Sequence, residues 1–286
     1  MKMKKQLLIL FFSFALISAL GQQGCVPSQQ NMSKAGLDFY LLSGIDYLSA
    51  GKILHLGDSF FVGVKIENYD KERRSGIVCI EDNVPESYGG IDKECRAFTI
   101  KEAEVKDSSL TPSSTTVYFP SYGEYGYVGI PHLTEPYSAK LFVTLHYSID
   151  SRITGTVVVP GKETETIQLN AESQPIEVSA TKSVRRSFGG YKVLIEIKLK
   201  RKKGVKIFSP EFEEENSTYL KVELYPYTLE CKSDNKPIKD FIRIENERLI
   251  KCSGVIYPRK EESYPLIIQL KYGIALEKEY NFKIET

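Results

Sequence analysis

Short runs in which apolar and polar residues alternate recur along most of this chain. Residues 59–67 (SFFVGVKIE) end in such an alternation and run into the polar turn Asn68-Tyr69-Asp70-Lys71. Residues 76–80, 116–119, 140–147 (KLFVTLHY), 155–159 (stopped by Pro160-Gly161) and 165–169 follow. Beyond residue 170 come 175–178, 190–200 (GYKVLIEIKLK), 218–224, 240–244, 265–272 and 277–284. Alternation of period two places every second side chain on one face, so each run predicts a strand with one buried side. In 190–200 that side is Val193, Ile195, Ile197 and Leu199. Helical periodicity is nearly absent, with only residues 34–47 and 101–106 as weak candidates.

The runs fall into two sets, each with one internal cysteine pair. Each set also closes alike: KLFVTLHYSIDSRITGTVVV (140–159) parallels PLIIQLKYGIALEKEYNFKI (265–284). In both, a strand ending in tyrosine, a charged turn and a returning strand are expected. The pattern predicts an all-β protein with two β-sandwich domains, residues 37–172 and 173–286, arisen by duplication. The polar stretch NAESQP (170–175) would mark their boundary. The strand carrying Val62, Val64, Ile66 and Asn68 resembles those of the immunoglobulin-like modules common in archaeal and bacterial surface proteins. That resemblance implies two immunoglobulin-like sandwiches and nothing finer. The cysteine pairs lie too close in sequence for the inter-sheet bond of antibody domains, and the chain has no tryptophan.

The first 24 residues read differently. Lys2, Lys4 and Lys5 precede fourteen uncharged residues, 7–20. A membrane-spanning helix needs roughly 20 apolar residues, whereas a shorter run suits the core of a secretory signal peptide. An uncleaved signal anchor and a buried helix are the alternatives. Gly24-Cys25 resembles the cleavage box of prokaryotic lipoproteins, although Gln22 stands where that pattern prefers an aliphatic residue. The resemblance implies an exported surface lipoprotein with Cys25 as its lipidated first residue. Residues 25–36 are polar and form the expected tether to the first sandwich.

Five cysteines leave one without a partner in an oxidising compartment, and Cys25 is the natural odd one. Cys79 with Cys95, and Cys231 with Cys252, bracket polar, turn-rich intervals, as expected of two clipped hairpins or loops. A four-cysteine zinc site is the rival, but structural zinc sites use closer cysteine spacing. Charge excludes one large class of partner. Without the three leader lysines, 35 basic residues face 37 acidic ones, which argues against nucleic acid.

Candidate chemistry is sparse. There are three histidines: His146 lies within a predicted strand, and His55 and His132 lie in loops or at strand edges. No metalloprotease, phosphate-loop or nucleophile-elbow motif occurs, so no catalytic residue, cofactor or metal is assigned. A hydrolase with carboxylates distant in sequence stays open. The strongest surface signal is residues 118–137, YFPSYGEYGYVGIPHLTEPY, which hold Tyr118, Tyr122, Tyr125, Tyr127 and Tyr137. Rigid rings with a polar tip make tyrosine a good recognition residue, so this loop is a candidate edge for another envelope protein, a peptide or a glycan. The other reading has the rings packing back over the sandwich. Lysines and arginines at 198–206 oppose glutamates at 211–215, either as a binding turn for an anionic surface or as faces that neutralise one another. Asn31 and Asn216 head formal glycosylation sequons. The expected whole is a non-enzymatic protein on the extracytoplasmic face of the membrane, held there by its N-terminal lipid or signal anchor, or secreted.

Overall fold

The computed structural model describes residues 36–286 apart from 107–108, 131–134 and 172–174. The protein is all-β; among the described residues the only helical element is the 3-10 turn Glu86–Tyr88. Cys25 and Asn31 lie outside the described residues, as does His132. Thirteen principal strands carry the fold. They are β1 (Leu37–Leu41), β2 (Val62–Asn68), β3 (Arg74–Asp82), β4 (Glu94–Ile100), β5 (Ser113–Phe119), β6 (Tyr137–Val159), β7 (Thr164–Ile167), β8 (Ile176–Ser187), β9 (Gly190–Arg201), β10 (Ser217–Leu224), β11 (Glu230–Ser233), β12 (Glu247–Ile256) and β13 (Glu262–Glu285). Among the described residues neither weak helical candidate is helical. One contains β1, and the other ends in the short strand Glu104–Lys106. Short apolar runs do not distinguish the two periods, and here strand neighbours were available to take up their backbone groups.

The most consequential difference lies in the two closing segments. Neither turns back on itself. β6 is 23 residues long and β13 is 24. They pair antiparallel along their whole length, from Tyr137 opposite Ile284 to Val159 opposite Glu262. The charged stretch around Asp150 does not break the strand, because alternation continues through it. Ile149, Ser151 and Ile153 are buried, while Asp150 and Arg152 face outward. Asp150 accepts a hydrogen bond from Gln269 at 2.9 Å and pairs with Lys271 at 3.0 Å, both across the strand pair.

This pair is the backbone of a sheet ordered β10-β13-β6-β3-β4. β3 pairs with the first part of β6, and β10 pairs with the first part of β13. Two smaller sheets, β1-β2-β5 and β7-β8-β9-β12-β11, pack against it. The phenol of Tyr147 on β6 reaches the backbone of Leu37, and that of Tyr272 on β13 reaches the backbone of Ile176. Tyr147 and Tyr272 lie on the buried face of the long sheet, so both smaller sheets cover that same face. The sequence boundary at 170–175 falls just ahead of β8. The described residues form one compact unit, with strands from both sequence halves in the shared sheet.

Burial follows the pleat closely. On β9, Val193, Ile195, Ile197 and Leu199 are all fully buried and face Ile250, Cys252 and Ile256 of β12 within one core. Burying such aliphatic side chains contributes on the order of 1.5–3 kcal/mol each. Both cysteine pairs are disulfides, and each joins directly opposed residues: Cys79–Cys95 across β3 and β4, and Cys231–Cys252 across β11 and β12.

Candidate functional site

The tyrosine-bearing segment lies beside the β3–β4 hairpin. Its backbone leaves β5 at Phe119 and returns through Tyr125 and Gly126, which pair with Phe60 and Ser59. Two carboxylates from the hairpin pin it. Glu94 accepts hydrogen bonds from the Ser121 hydroxyl at 2.9 Å and the Tyr125 hydroxyl at 2.6 Å. Asp82 accepts from the Tyr127 hydroxyl at 2.6 Å and from the backbone N–H groups of Val84 and Ile91. The Cys79–Cys95 bond joins the same two strands, with both acids on its loop side.

The electrostatics of the two acids differ. Burial pushes the Asp82 carboxyl above the ordinary carboxylate range, and its hydrogen bonds offset only part of that. At Glu94 burial acts in the same direction, but hydrogen bonds from Tyr125 and Ser121, with the nearby Arg96, hold the group below its ordinary value. Burial and the facing acids push the Tyr125 and Tyr127 phenols far up, so both stay protonated donors. This is a scaffold of satisfied polar contacts.

The five tyrosines therefore have different fates. Tyr127 is buried, stacked 5.1 Å from Phe60 and 5.8 Å from Phe282. Tyr125 is half-buried against Phe60, and Tyr137 packs beside the core at the start of β6. Only Tyr118 and Tyr122 face solvent, at 47% and 95% exposure. Tyr118 is not isolated. Its ring lies 6.2 Å from that of Tyr47, which lies 6.4 Å from Phe61. These three rings, tilted 38° and 51° between neighbours, make a shallow aromatic facet bordered by the exposed Ile45.

The facet is held from behind. The Lys52 ammonium donates to the carbonyls of Gly44, Ile45 and Tyr47, which fixes the loop that carries Tyr47. Arg96 donates to the Tyr118 carbonyl and lies over the Phe119 ring. Tyr47, Phe61 and Ile45 escaped the sequence reading because none belongs to a tyrosine-rich stretch. The aromatic spacing Tyr47…Phe61…Tyr118 becomes meaningful only in three dimensions.

Elsewhere the candidate groups lie apart. His146 is half-buried with its ring edge-on to Phe212 at 5.2 Å, and burial pushes its pKa down. His55 is exposed and donates its backbone N–H to Asp58. Three lysines of the basic run pair with glutamates outside 211–215: Lys198 with Glu247, Lys200 with Glu177 and Lys206 with Glu277. Asn216 is half-buried in a left-handed backbone conformation and accepts a hydrogen bond from Arg201. A cleft of about 320 Å³ on the β9–β12–β11 face holds Glu230, Lys232, Asp234 and Lys251, with Asp234 and Lys251 engaged by Arg248 and Glu196. Among the described residues, no three metal-ligating side chains converge. No helix among them is long and apolar enough to cross a membrane.

Fold and site together define an all-β, disulfide-clipped protein whose most organised surface feature is aromatic. Two disulfides fit an oxidising, extracytoplasmic compartment. The chain matches no protein-family model and no curated protein sequence.

Proposed function

We propose that this is a non-enzymatic surface protein, exported and lipid-anchored at Cys25, that binds a peptide, glycan or protein partner through the Tyr47–Phe61–Tyr118 facet with Tyr122 beside it. In this reading its two halves are immunoglobulin-like sandwiches fused through a common sheet, a stiff support that carries the facet outward. The single observation that carries the reading is the contrast among tyrosines. Tyr125 and Tyr127 are spent on anchoring the loop, while Tyr118 and Tyr122 are left in water. Pre-ordered rings lose little conformational entropy on binding, which is why such residues serve recognition.

The test is a peptide and glycan array probed with the wild-type protein and with Tyr118→Ala/Tyr122→Ala. Binding that falls at least tenfold in the double variant, at unchanged thermal stability, supports the facet. Equal binding by the two proteins refutes it. Tyr127→Ala serves as the contrasting variant, since its loss should lower stability.

A further inference from the structure

A second surface lies at the end of the sheet where β6 finishes and β13 begins. Three elements reach this end. The β8–β9 hairpin closes in a two-residue turn, Phe188-Gly189, between the paired Ser187 and Gly190. The segment leaving β12 carries Tyr257, Arg259 and Lys260, and the Tyr257 ring lies against Gly189 and Gly190. The turn after β10 carries Tyr225, whose N–H donates to Pro265 on β13.

The composition of this tip is unusual. Phe188 is 102% exposed, the highest value for any large apolar side chain among the described residues, and Tyr225 and Tyr257 are 67% and 61% exposed. Around them stand the exposed cations Arg185, Arg186, Lys192, Arg259 and Lys260. None of the five forms an ion pair with the described residues, in contrast to Lys198, Lys200 and Lys206. The acids within reach are fewer: Glu163, Glu261 and Glu262, the last accepting from the Tyr264 hydroxyl.

We propose that this tip docks on an anionic lipid bilayer, with Phe188 entering the headgroup–acyl boundary, Tyr225 and Tyr257 lying at headgroup level and the five cations meeting lipid phosphates. The three exposed rings come from three separate turns, an arrangement that suits a flat, deformable surface. The chemistry agrees, since a phenyl ring lacks polar groups and gains from leaving water, while tyrosine prefers the interface and cations add electrostatic attraction to anionic headgroups. The proposal does not depend on lipid at Cys25.

The test uses the full chain carrying Cys25→Ser, so that no lipid can be attached there. It is floated with vesicles of phosphatidylcholine alone, or of phosphatidylcholine and phosphatidylglycerol in equal parts. Binding to the anionic vesicles, weakened by salt, and little to the neutral ones is expected. Each arginine near the surface is worth about fivefold in partitioning, so Arg185→Gln/Arg186→Gln should lower it by about 25-fold. Lys198→Gln should leave it unchanged. The protein has no tryptophan, so Phe188→Trp places a single reporter at the tip. Its fluorescence should shift to the blue on anionic vesicles and not on neutral ones. Unshifted fluorescence, or vesicle binding unchanged by the arginine substitutions, overturns the proposal. So does binding to soluble polyanions such as heparin without binding to vesicles, which would assign the tip to an anionic polymer.

Discussion

The turn after β2 offers the sharpest test of how this fold is held. Asn68 is fully buried, and its side chain makes three hydrogen bonds to the backbone. Its Nδ2 donates to the carbonyls of Glu72 and Lys101, each at 2.8 Å, and its Oδ1 accepts from the Asp70 N–H at 2.9 Å. Asp70 in turn accepts from the Gly36 N–H at 2.8 Å and pairs with Arg74 at 2.9 Å. One amide thus joins the β2–β3 turn to the strand end after β4. Asn68→Ala leaves the Glu72 carbonyl and the Asp70 N–H without this partner, while the Lys101 carbonyl keeps the Ser113 hydroxyl. Each lost partner costs about 1–3 kcal/mol, and partial relaxation brings the sum to about 4 kcal/mol. That is a large share of a typical stability of roughly 5–15 kcal/mol. At about 2–4 °C per kcal/mol for a unit of this size, the midpoint should fall by roughly 10 °C. Urea and thermal unfolding followed by circular dichroism measure both quantities. Asn68→Asp sharpens the logic, since a carboxylate would face two carbonyls and lose both donors. It should be worse than alanine at neutral pH and recover as acid protonates the introduced group. A loss within about 1 kcal/mol for Asn68→Ala, or an Asn68→Asp protein as stable as wild type, would refute the role given to this amide.

Two further outcomes follow from the hairpin that supports the aromatic facet. The folded protein holds the Asp82 proton more tightly than the unfolded chain does, because burial raises the carboxyl. The stability Asp82 contributes is therefore fully present below its unfolded value of about 3.9 and is lost as pH rises through the higher folded value. Asp82→Asn should remove that loss, and the wild-type-minus-variant difference in urea midpoint should shrink toward acid; a difference independent of pH would contradict the assignment. The disulfides close separations of 16 and 21 residues. Replacing either pair by serines should cost about 3 kcal/mol in the chain-entropy account. A thiol reagent should label none of the four cysteines in the denatured, unreduced protein, and labelling of all four would exclude both bonds.

Much of the local structure was legible in the residues. Alternation located β2, β9 and β10, because a strand with one buried face must repeat every two residues. The two cysteine pairs were legible for a related reason: each brackets a short polar interval, and partners across neighbouring strands can stay close in sequence. β1 was not legible, since LDFYL is too short to separate helix from strand. The turns expected inside 140–159 and 265–284 were misplaced because Asp150, Arg152 and Lys278 look like turn residues. They are the outward face of strands that continue past them, and Lys278 reaches the Asp38 carboxylate on β1.

The candidate site divides in the same way. Tyr118, Tyr122, Tyr125 and Tyr127 share one residue type and one loop, so nothing local distinguishes them. Their fates depend on Glu94, Asp82, Phe60 and Phe282, which arrive from other strands. The basic run at 198–206 stood out in sequence, yet Lys198, Lys200 and Lys206 are ion-paired, while the cations around Phe188 were inconspicuous because they come from two separate segments. By itself the sequence determined that the chain is built of strands, which side of each strand is buried and which cysteines are neighbours, since these follow from a period of two and from short chain separations. Only the tertiary structure decided that β6 and β13 run unbroken through both halves and which aromatic and basic side chains remain in water. Those outcomes rest on pairing and packing between distant segments, which no local pattern encodes.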